Sequence, residues 1–366
     1  MKGTFKLGKI AGISLFIHWT FSLLLLFIVY INYKAGQNLT QILWSVLFIL
    51  CIFLTVLLHE LGHALTATKF GIKTKDITLL PIGGLARLER IPEKPSEELM
   101  VAFAGPLVNI ALALVTSMFI SLPNSSEEMV AQLANGVNAN NFFLNFYLVN
   151  ILLAFFNLIP AFPMDGGRVL RALLSFKLKR HIATKIAARI GQLLALGFIF
   201  LGFFSNPFFI FIGIFVFIGA QIESEYTESK HILKGYTVRD VLMKQYPIID
   251  YNETLETAVK LMLDSQNKCF LVTENNIPMG TLNRDQIIEA LSKKEEETEL
   301  SSIIDRNLII LQADSFLEDV FELVYKNKST LMLVMEDNQL IGTLDTENLL
   351  EFILIKEVKA KRAHAE

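Results

Sequence analysis

The chain has 366 residues, of which 52% are hydrophobic, and a formal net charge of −3. Its mean hydropathy of +0.47 is too high for an ordinary soluble domain of this length, so membrane spans are expected. The near-neutral charge and the lack of a polybasic stripe exclude nucleic acid as a partner. The two cysteines, Cys51 and Cys269, give no disulfide framework; both are expected to be packing residues in a chain suited to a reducing compartment.

The first apolar run, residues 12–32, follows Lys2, Lys6 and Lys9. It is longer than the apolar core of a secretory signal peptide, and no small-residue cleavage site follows it, so we expect a retained first membrane span. Five further runs can be read as membrane spans; they cover residues 42–67, 99–122, 141–161, 184–204 and 207–222.

The basic residues predict how these spans are oriented. Lys and Arg fill residues 69–94 and 168–189, whereas residues 122–141 contain neither. Because basic loops stay on the cytoplasmic side, both basic segments are expected there. Six spans place both termini in the cytoplasm, whereas five, with 184–222 read as one span, place the C-terminal region outside. We therefore expect about six spans in the cell (inner or plasma) membrane, with lipid as a surrounding partner.

The second apolar run contains the sequence His-Glu-Leu-Gly-His at residues 59–63. Residues four apart share one face of a helix, so His59 and His63 can bind one Zn²⁺ while Glu60 takes a proton from metal-bound water. The alternative is a chance arrangement of hydrogen-bonding helix residues. Ionisable groups within a membrane span are costly to bury, which favours the metal site.

A catalytic zinc usually takes three protein ligands and leaves one position for water. The best third ligand is Asp165, which stands in the segment Asn-Leu-Ile-Pro-Ala-Phe-Pro-Met-Asp-Gly-Gly at residues 157–167. Its prolines interrupt the fourth run, and its glycines permit close approach of the backbone. The alternative is an exposed Asp in a Pro/Gly loop. The sequence therefore predicts one zinc ion per chain.

Together these two motifs resemble the site-2 protease family of intramembrane zinc metalloproteases. Phe-Ala-Gly-Pro-Leu-Val-Asn at 103–109 and Pro-Ile-Gly-Gly at 81–84 also fit, and the resemblance covers roughly residues 1–222. It implies that His59, His63 and Asp165 bind zinc and that Glu60 activates the water. The implied substrates are transmembrane segments of other proteins, often membrane-tethered regulators such as an anti-sigma factor.

A substrate helix must unwind before its carbonyl groups become accessible, and the extended segment then needs backbone partners. Residues 77–88 contain strand-forming side chains around Gly83 and Gly84. They form either a strand edge that substrate joins or a plain structural loop.

Other polar residues in the apolar runs have two interpretations each. Asn109 and Asn157 either orient substrate or the water, or hydrogen-bond a neighbouring helix. His18 fits a family position near the start of the first span, where it is expected to be interfacial or to support a ligand, because three ligands are already assigned.

From about Tyr236 the composition becomes that of a soluble domain. Residues 254–291 resemble residues 315–352, and both read strand, helix, strand, Gly-Thr-Leu, helix, at an offset of about 62 residues. The pattern resembles a tandem pair of cystathionine-β-synthase (CBS) domains. We expect a linker at 223–236, the pair at 237–352 (237–292 and 301–352, with an acidic stretch between) and a tail at 353–366.

CBS pairs often bind adenine nucleotides between their two domains, but this chain departs from the usual nucleotide pattern. After Gly280 it offers Asn283 and Asp285, and after Gly342 it offers Asp345, whose charge repels phosphate. The resemblance leaves a weak adenine nucleotide site at Asn283 and Asp285, and a regulatory or homodimerising role for the pair.

The predicted fold class is a multi-pass α-helical membrane protein followed by a soluble α/β tandem CBS module, and the predicted activity is that of a zinc metalloendopeptidase. Two alternatives compete with it. In a transporter zinc would be the cargo, and a pseudoprotease would bind membrane proteins without cutting them. Glu60 beside two ligands favours the hydrolase, since transport needs only groups that bind and release.

Overall fold

The computed structural model of the protein describes residues 3–81, 83–90, 92–120, 125, 129, 132, 136–265, 267–293, 299–327 and 330–363. The chain divides into two compact units, Met1–Glu225 and Tyr226–Glu366. The first unit contains the apolar helices, and the second contains the two repeated sequence segments.

The first unit begins with an antiparallel pair of strands, β1 (Thr4–Ile10) and β2 (Ile13–His18). Ala11 and Gly12 connect them, with φ of 49° and 83°, a conformation typical of a tight hairpin. The prediction of a span beginning at residue 12 is therefore wrong in its first part: helix α1 covers only Thr20–Lys34. A short apolar run fits a strand as well as a helix, so hydropathy alone did not separate them.

Six further helices among the described residues begin in the first unit, and the last of them continues past Glu225. They are α2 (Leu39–Lys69), α3 (Pro95–Ser117), α4 (Phe142–Leu158), α5 (Asp165–Ser175), α6 (Arg180–Phe204) and α7 (Phe208–Ile232). Among the described residues, four helices are long and apolar enough to cross a membrane, namely α2, α3, α6 and α7.

Each predicted apolar run coincides with one apolar helix, but the count of six spans is not confirmed. Helices α1 and α4 have 15 and 17 residues, which corresponds to about 22–26 Å against a hydrocarbon core of about 30 Å. The four long helices give the first unit the apolar helical character that the sequence predicted.

A four-stranded sheet accompanies the helices, in the order β1-β2-β3-β4. Strand β3 (Thr74–Leu80) runs parallel to β2, and β4 (Gly83–Leu88) pairs antiparallel with β3. Residues 77–88 thus contain strand structure rather than a plain loop, with Ile82 lying outside the described residues. Strand β4 is an edge strand, and Arg87 on it is ion-paired with the buried Asp76 on β3.

Helices α2 and α3 pack closely through small residues. A Cβ atom on Gly62 would lie 2.9 Å from the carbonyl oxygen of Ala104, so only glycine permits this approach of the two backbones. The close packing brings the predicted His59–His63 face of α2 against α3.

Helix α7 extends to Ile232, so the linker predicted at 223–236 is helical over most of its length. The second unit then contains two similar sheets. The first is formed by β5 (Ile248–Asp250), β6 (Cys269–Glu274) and β7 (Ile277–Asn283), with helices α8 (Leu255–Ser265) and α9 (Arg284–Ser292).

The second sheet is formed by β8 (Ile310–Gln312), β9 (Met332–Glu336) and β10 (Gln339–Leu344), with helices α10 (Leu317–Lys326) and α11 (Thr346–Ala363). This confirms the predicted order of strands and helices in both copies. Helix α11 continues to Ala363, so the tail predicted from residue 353 is helical up to that residue.

The two repeats exchange their leading segments. Thr237 and Met243, at the start of the first predicted domain (237–292), form bridges to Phe316 and Thr343 of the second (301–352). Asp305, near the start of the second domain, forms a bridge to Thr281 of the first. Each copy therefore completes its structure with a segment from beside the other, which explains why the repeats occur as a pair.

Candidate metal centre

The structure brings the three predicted ligands together. The Nε2 atoms of His59 and His63 lie 3.1 Å and 3.0 Å from Oδ2 of Asp165, and 3.1 Å from each other. The three residues are only 8%, 5% and 7% exposed. They are the group of described His, Cys, Asp and Glu side chains whose geometry suits a metal ion.

Two elements position these ligands. His59 and His63 lie one turn apart on α2, where side chains at i and i+4 share a face. Asp165 is the first residue of α5, and the two glycines after it permit the preceding segment to fold tightly against this helix. A Cβ atom on Gly166 would lie 2.2 Å from the Ile159 carbonyl oxygen, and one on Gly167 would lie 2.6 Å from the Phe162 nitrogen.

Both imidazole rings are held through their Nδ1 atoms. His63 Nδ1 lies 2.7 Å from the carbonyl oxygen of Val101, and His59 Nδ1 lies 2.5 Å from Oδ1 of Asn109. A carbonyl oxygen only accepts, so each Nδ1 carries the hydrogen and each Nε2 keeps its lone pair. Asn109 lies against the His59 ring. The sequence left two interpretations of this residue, to orient substrate or the water, or to hydrogen-bond a neighbouring helix.

Gly105 of α3 leaves room at the point where the ligands meet. A Cβ atom on this residue would lie 2.2 Å from Nε2 of His63 and 2.6 Å from Nε2 of His59. Gly105 belongs to the motif at residues 103–109, but its place at the site was not predictable, because only the packing of α2 on α3 shows what it faces.

The donor set suits a catalytic zinc ion. Two imidazole nitrogens and one carboxylate oxygen are typical zinc donors, and three protein ligands leave a fourth position open for water or substrate. The Nδ1 atoms are hydrogen-bonded away from the cluster, as is usual for metal-binding histidines. The residues present therefore fit Zn²⁺.

Glu60 follows His59 on α2, and its side chain lies against Gly84 of the edge strand β4. A Cβ atom on Gly84 would lie 2.6 Å from Cγ of Glu60 and 3.1 Å from Cγ1 of Val56. Gly83 beside it has a φ of 139°. Gly83 and Gly84 were both predicted to lie at a substrate-binding strand edge. Of the two, Gly84 directly contacts Glu60, the predicted base.

Two other predicted residues have their polar atoms engaged elsewhere. Asn157 on α4 donates from Nδ2 to the Leu153 carbonyl oxygen at 3.0 Å, within its own helix. His18 on β2 has its Nδ1 atom 2.8 Å from Oγ1 of Thr20. Neither side chain hydrogen-bonds any of the three predicted ligands.

The residues predicted for a nucleotide site lie at the start of α9. Asn283 caps this helix: its Oδ1 accepts from the Gln286 N–H at 3.0 Å, and the Gln286 side chain accepts from the Asn283 N–H. Asp285 is exposed in the first turn. The Asn283 side chain therefore has a structural role, since such caps stabilise helix ends.

Comparison with known proteins identifies both units. The model of Peptidase family M50 matches residues 47–198, and the model of the CBS domain matches residues 238–293 and 300–355. A zinc metalloprotease of Methanocaldococcus jannaschii is 34% identical over 364 residues, which cover 98% of this chain and 98% of that protein. Stage IV sporulation protein FB of Bacillus subtilis is 30% identical over 226 residues, 61% of this chain and 72% of that protein.

A solved structure, the site-2 protease from Methanocaldococcus jannaschii, is 41% identical, covers 60% of this chain and 95% of that chain, and has a TM-score of 0.44. The 34% identity to the zinc metalloprotease of Methanocaldococcus jannaschii extends over both units of this chain. The chain therefore belongs to Peptidase family M50, the site-2 protease family, as a zinc metalloprotease that carries two CBS domains.

Proposed function

We propose that this metalloprotease cleaves transmembrane segments of other membrane proteins, in regulated intramembrane proteolysis. The observation that carries the proposal is the position of the buried His59–His63–Asp165 cluster. Two of its three members, His59 and His63, lie on α2, a 31-residue helix apolar enough to cross a membrane. His63 precedes the end of α2 at Lys69 by six residues, or about 9 Å along the helix. Cleavage is therefore expected near the membrane surface on the Lys69 side.

The proposed roles follow from the chemistry of each side chain. His59, His63 and Asp165 hold the zinc ion, which when bound supplies a water of lowered pKa and polarises the scissile carbonyl group. Glu60 takes a proton from the attacking water and delivers it to the departing amine nitrogen. None of the described residues donates a hydrogen bond to the Glu60 carboxylate, which leaves its oxygens available for this proton.

Strand β4 supports a mode of substrate binding. Its outer edge has no strand partner among the described residues, and Gly84 on it contacts Glu60. An extended substrate segment that joins this edge gains backbone hydrogen bonds next to the proposed base. We therefore propose that substrate unwinds and adds to the sheet as a fifth strand.

The test of the activity compares the wild type with Glu60→Gln for bound zinc and for cleavage of a panel of single-span membrane proteins. We expect the variant to keep zinc and to lose cleavage, since glutamine retains the size but not the basicity of glutamate. A variant that still cleaves would contradict the role of Glu60. Zinc transport by both proteins into vesicles, without cleavage, would instead favour a transporter.

Proline substitution tests the edge strand. Successive N–H groups of β4 point alternately towards β3 and outwards, so Leu85→Pro and Ala86→Pro remove one N–H on each side. We expect the outward substitution to raise KM for a membrane substrate without lowering zinc content. Unchanged cleavage by both variants would contradict strand addition.

The domain organisation proposed here places the protease in residues 1–222, a connecting segment at 223–236 and the CBS pair at 237–352. Both termini and the CBS pair are proposed to be cytoplasmic, in the cell membrane. A tag fused at Ala363 should be digested by added protease only in inside-out vesicles. Digestion in right-side-out cells would contradict this topology.

The CBS pair is proposed to regulate the protease, by binding an adenine nucleotide weakly near Asn283 and Asp285 and by forming a homodimer. Helix α11 supports the dimer, because Leu350, Leu354 and Val358 form an exposed apolar stripe at i, i+4 and i+8. Light scattering of the full chain and of Leu354→Glu tests this: we expect the variant to be monomeric. Titration with ATP tests the nucleotide site.

A further inference from the structure

Three buried amide and imidazole groups form a continuous chain behind the metal centre. His59 Nδ1 lies 2.5 Å from Oδ1 of Asn109, and Nδ2 of Asn109 lies 3.4 Å from Oδ1 of Asn150. Nδ2 of Asn150 then donates to the Phe146 carbonyl oxygen at 2.8 Å. Asn109 is 1% exposed and Asn150 is fully buried, so water does not compete for these contacts.

The last member of the chain fixes the direction of all the others. The Phe146 carbonyl oxygen only accepts hydrogen bonds, so the Asn150 amide must turn its NH₂ group towards it and its oxygen towards Asn109. Asn109 then turns its NH₂ group to Asn150 and its oxygen to His59. The His59 ring must therefore carry its hydrogen on Nδ1, which leaves the Nε2 lone pair directed at the Asp165 side.

The opposite arrangement has a definite chemical cost. A flipped Asn109 amide would present NH₂ to Nδ1 of His59 and would favour the tautomer with hydrogen on Nε2. That nitrogen is 3.1 Å from the Asp165 carboxylate and cannot bind a metal ion while it is protonated. Asn109 alone does not select between the two orientations, because its oxygen and nitrogen have nearly the same shape.

We propose that Asn150 is a positioning residue for the metal centre: it locks the amide of Asn109 so that the neutral His59 ring offers Nε2 to zinc. It acts through Asn109 and touches neither the metal nor the substrate. The contact is long for a hydrogen bond at 3.4 Å; the proposed role is to set an orientation, since a flipped Asn109 amide would turn its oxygen towards the oxygen of Asn150. This inference rests on the proposed zinc ligands and adds a residue from α4 to the groups that support them.

The experiment measures zinc affinity of the full chain in detergent by competition with a chelator, for the wild type and for Asn150→Leu. Loss of a group that supports a metal ligand usually weakens metal affinity about 10- to 100-fold, and we expect about tenfold here. The matched control is Asn145→Leu, also on α4, whose Nδ2 donates to the Asn141 carbonyl oxygen at 2.9 Å. Its zinc affinity should equal that of the wild type.

A second pair of variants separates positioning from loss of packing. In Asn109→Asp both side-chain oxygens accept, so His59 keeps its hydrogen on Nδ1 whatever the orientation of residue 109. Leucine at position 150 should then cost no zinc affinity, and it should improve binding by removing an oxygen that faces the new carboxylate. A general packing defect would lower affinity equally with Asn or Asp at position 109.

The outcomes keep this inference apart from the proposed function. If His59→Ala abolishes zinc binding and Asn150→Leu leaves it unchanged, the positioning role is wrong and the metal centre stands. If Asn150→Leu weakens binding equally in both backgrounds, its effect is structural and the inference is also wrong. If the wild type and His59→Ala bind zinc alike, the ligand assignment itself fails.

Discussion

Arg171 and Glu98 form an ion pair in the interior of the first unit, with Nε of Arg171 2.8 Å from Oε1 of Glu98. The two residues are 1% and 2% exposed. Glu223 of α7 accepts a further bond from the Arg171 guanidinium, and Nη1 of Arg180 on α6 lies 3.2 Å from Oε2 of Glu98. Because Arg171 belongs to the helix that begins with Asp165, this network holds α5 to three other helices.

Substitution of Arg171 by Met should destabilise the first unit strongly. Removal of one partner leaves Glu98 as a buried, partly compensated charge, which costs about 3–5 kcal/mol. Thermal unfolding in detergent measures the change, with Arg189→Met on the exposed face of α6 as the control, expected within about 0.5 kcal/mol of the wild type. Equal stability of the two variants would show that the network contributes little.

Gly105→Ala should remove zinc from the protein. The added methyl group would lie 2.2 Å and 2.6 Å from the Nε2 atoms of His63 and His59, where a metal ion needs space. Gly197→Ala, which meets no atom within 4 Å, is the matched control. Metal analysis of the purified proteins should find zinc in the control and little in Gly105→Ala; full zinc occupancy in both would place the ion elsewhere.

Removal of the metal by a chelator tests the same centre without a change in the protein. The wild type treated with a strong chelator should lose cleavage, and added Zn²⁺ should restore it, because the three ligands remain in place. Gly105→Ala should not recover under the same treatment. Full activity of the chelated protein would contradict zinc-dependent hydrolysis.

Gly84→Ala should lower kcat while zinc remains bound. The methyl group would lie 2.6 Å from Cγ of Glu60, so the carboxylate must move, and the three atoms nearest to it belong to Glu60 and Val56 rather than to a histidine ring. Zinc content and cleavage rate, measured on the same preparation, separate this effect from that of Gly105→Ala. Loss of zinc from Gly84→Ala would mean that the strand supports the ligands as well as the base.

The cluster of His59, His63 and Asp165 was predictable from the sequence because its signal is local or strongly marked. His59 and His63 are four residues apart on one helix, and Asp165 stands among prolines and glycines in an apolar chain. Asn150, Gly105 and Arg171 gave no comparable signal. Their roles depend on how α4, α3 and α5 pack, and residues such as Asn109 and Asn150 are brought together from 41 positions apart.

The same holds for the fold: elements determined by neighbouring residues were predictable, and elements determined by contacts with distant residues were not. The repeat and its strand and helix order were readable from periodicity, because each copy is a local unit. The strand at Ile13–His18 was not, since its pairing with the distant strand Thr74–Leu80 decides its conformation. Likewise, the apolar run at 207–222 and the repeat ending at residue 352 did not indicate that α7 and α11 continue into the polar sequence that follows.

Cys269 should react slowly with thiol reagents in the folded protein. It packs against Leu331 and Leu333, and burial raises the pKa of its thiol to about 11. At pH 7.5 the reactive thiolate is then about two to three orders of magnitude scarcer than for an ordinary cysteine of pKa about 8.5. The Cys51→Ala protein, which leaves Cys269 as the sole cysteine of the chain's two, permits a direct measurement with N-ethylmaleimide.

The raised pKa of Cys269 also determines how the stability of the folded protein changes with pH. The folded chain holds the Cys269 proton up to a pH of about 11, whereas the unfolded chain releases it near 8.5. The stability from this thiol is therefore fully present below pH of about 8.5 and declines as the pH rises towards 11. Alkylation in denaturant should proceed at the ordinary rate and serves as the control. Alkylation of the folded protein at that same rate would show either that the thiol is exposed with an ordinary pKa or that the second unit opens readily around β6.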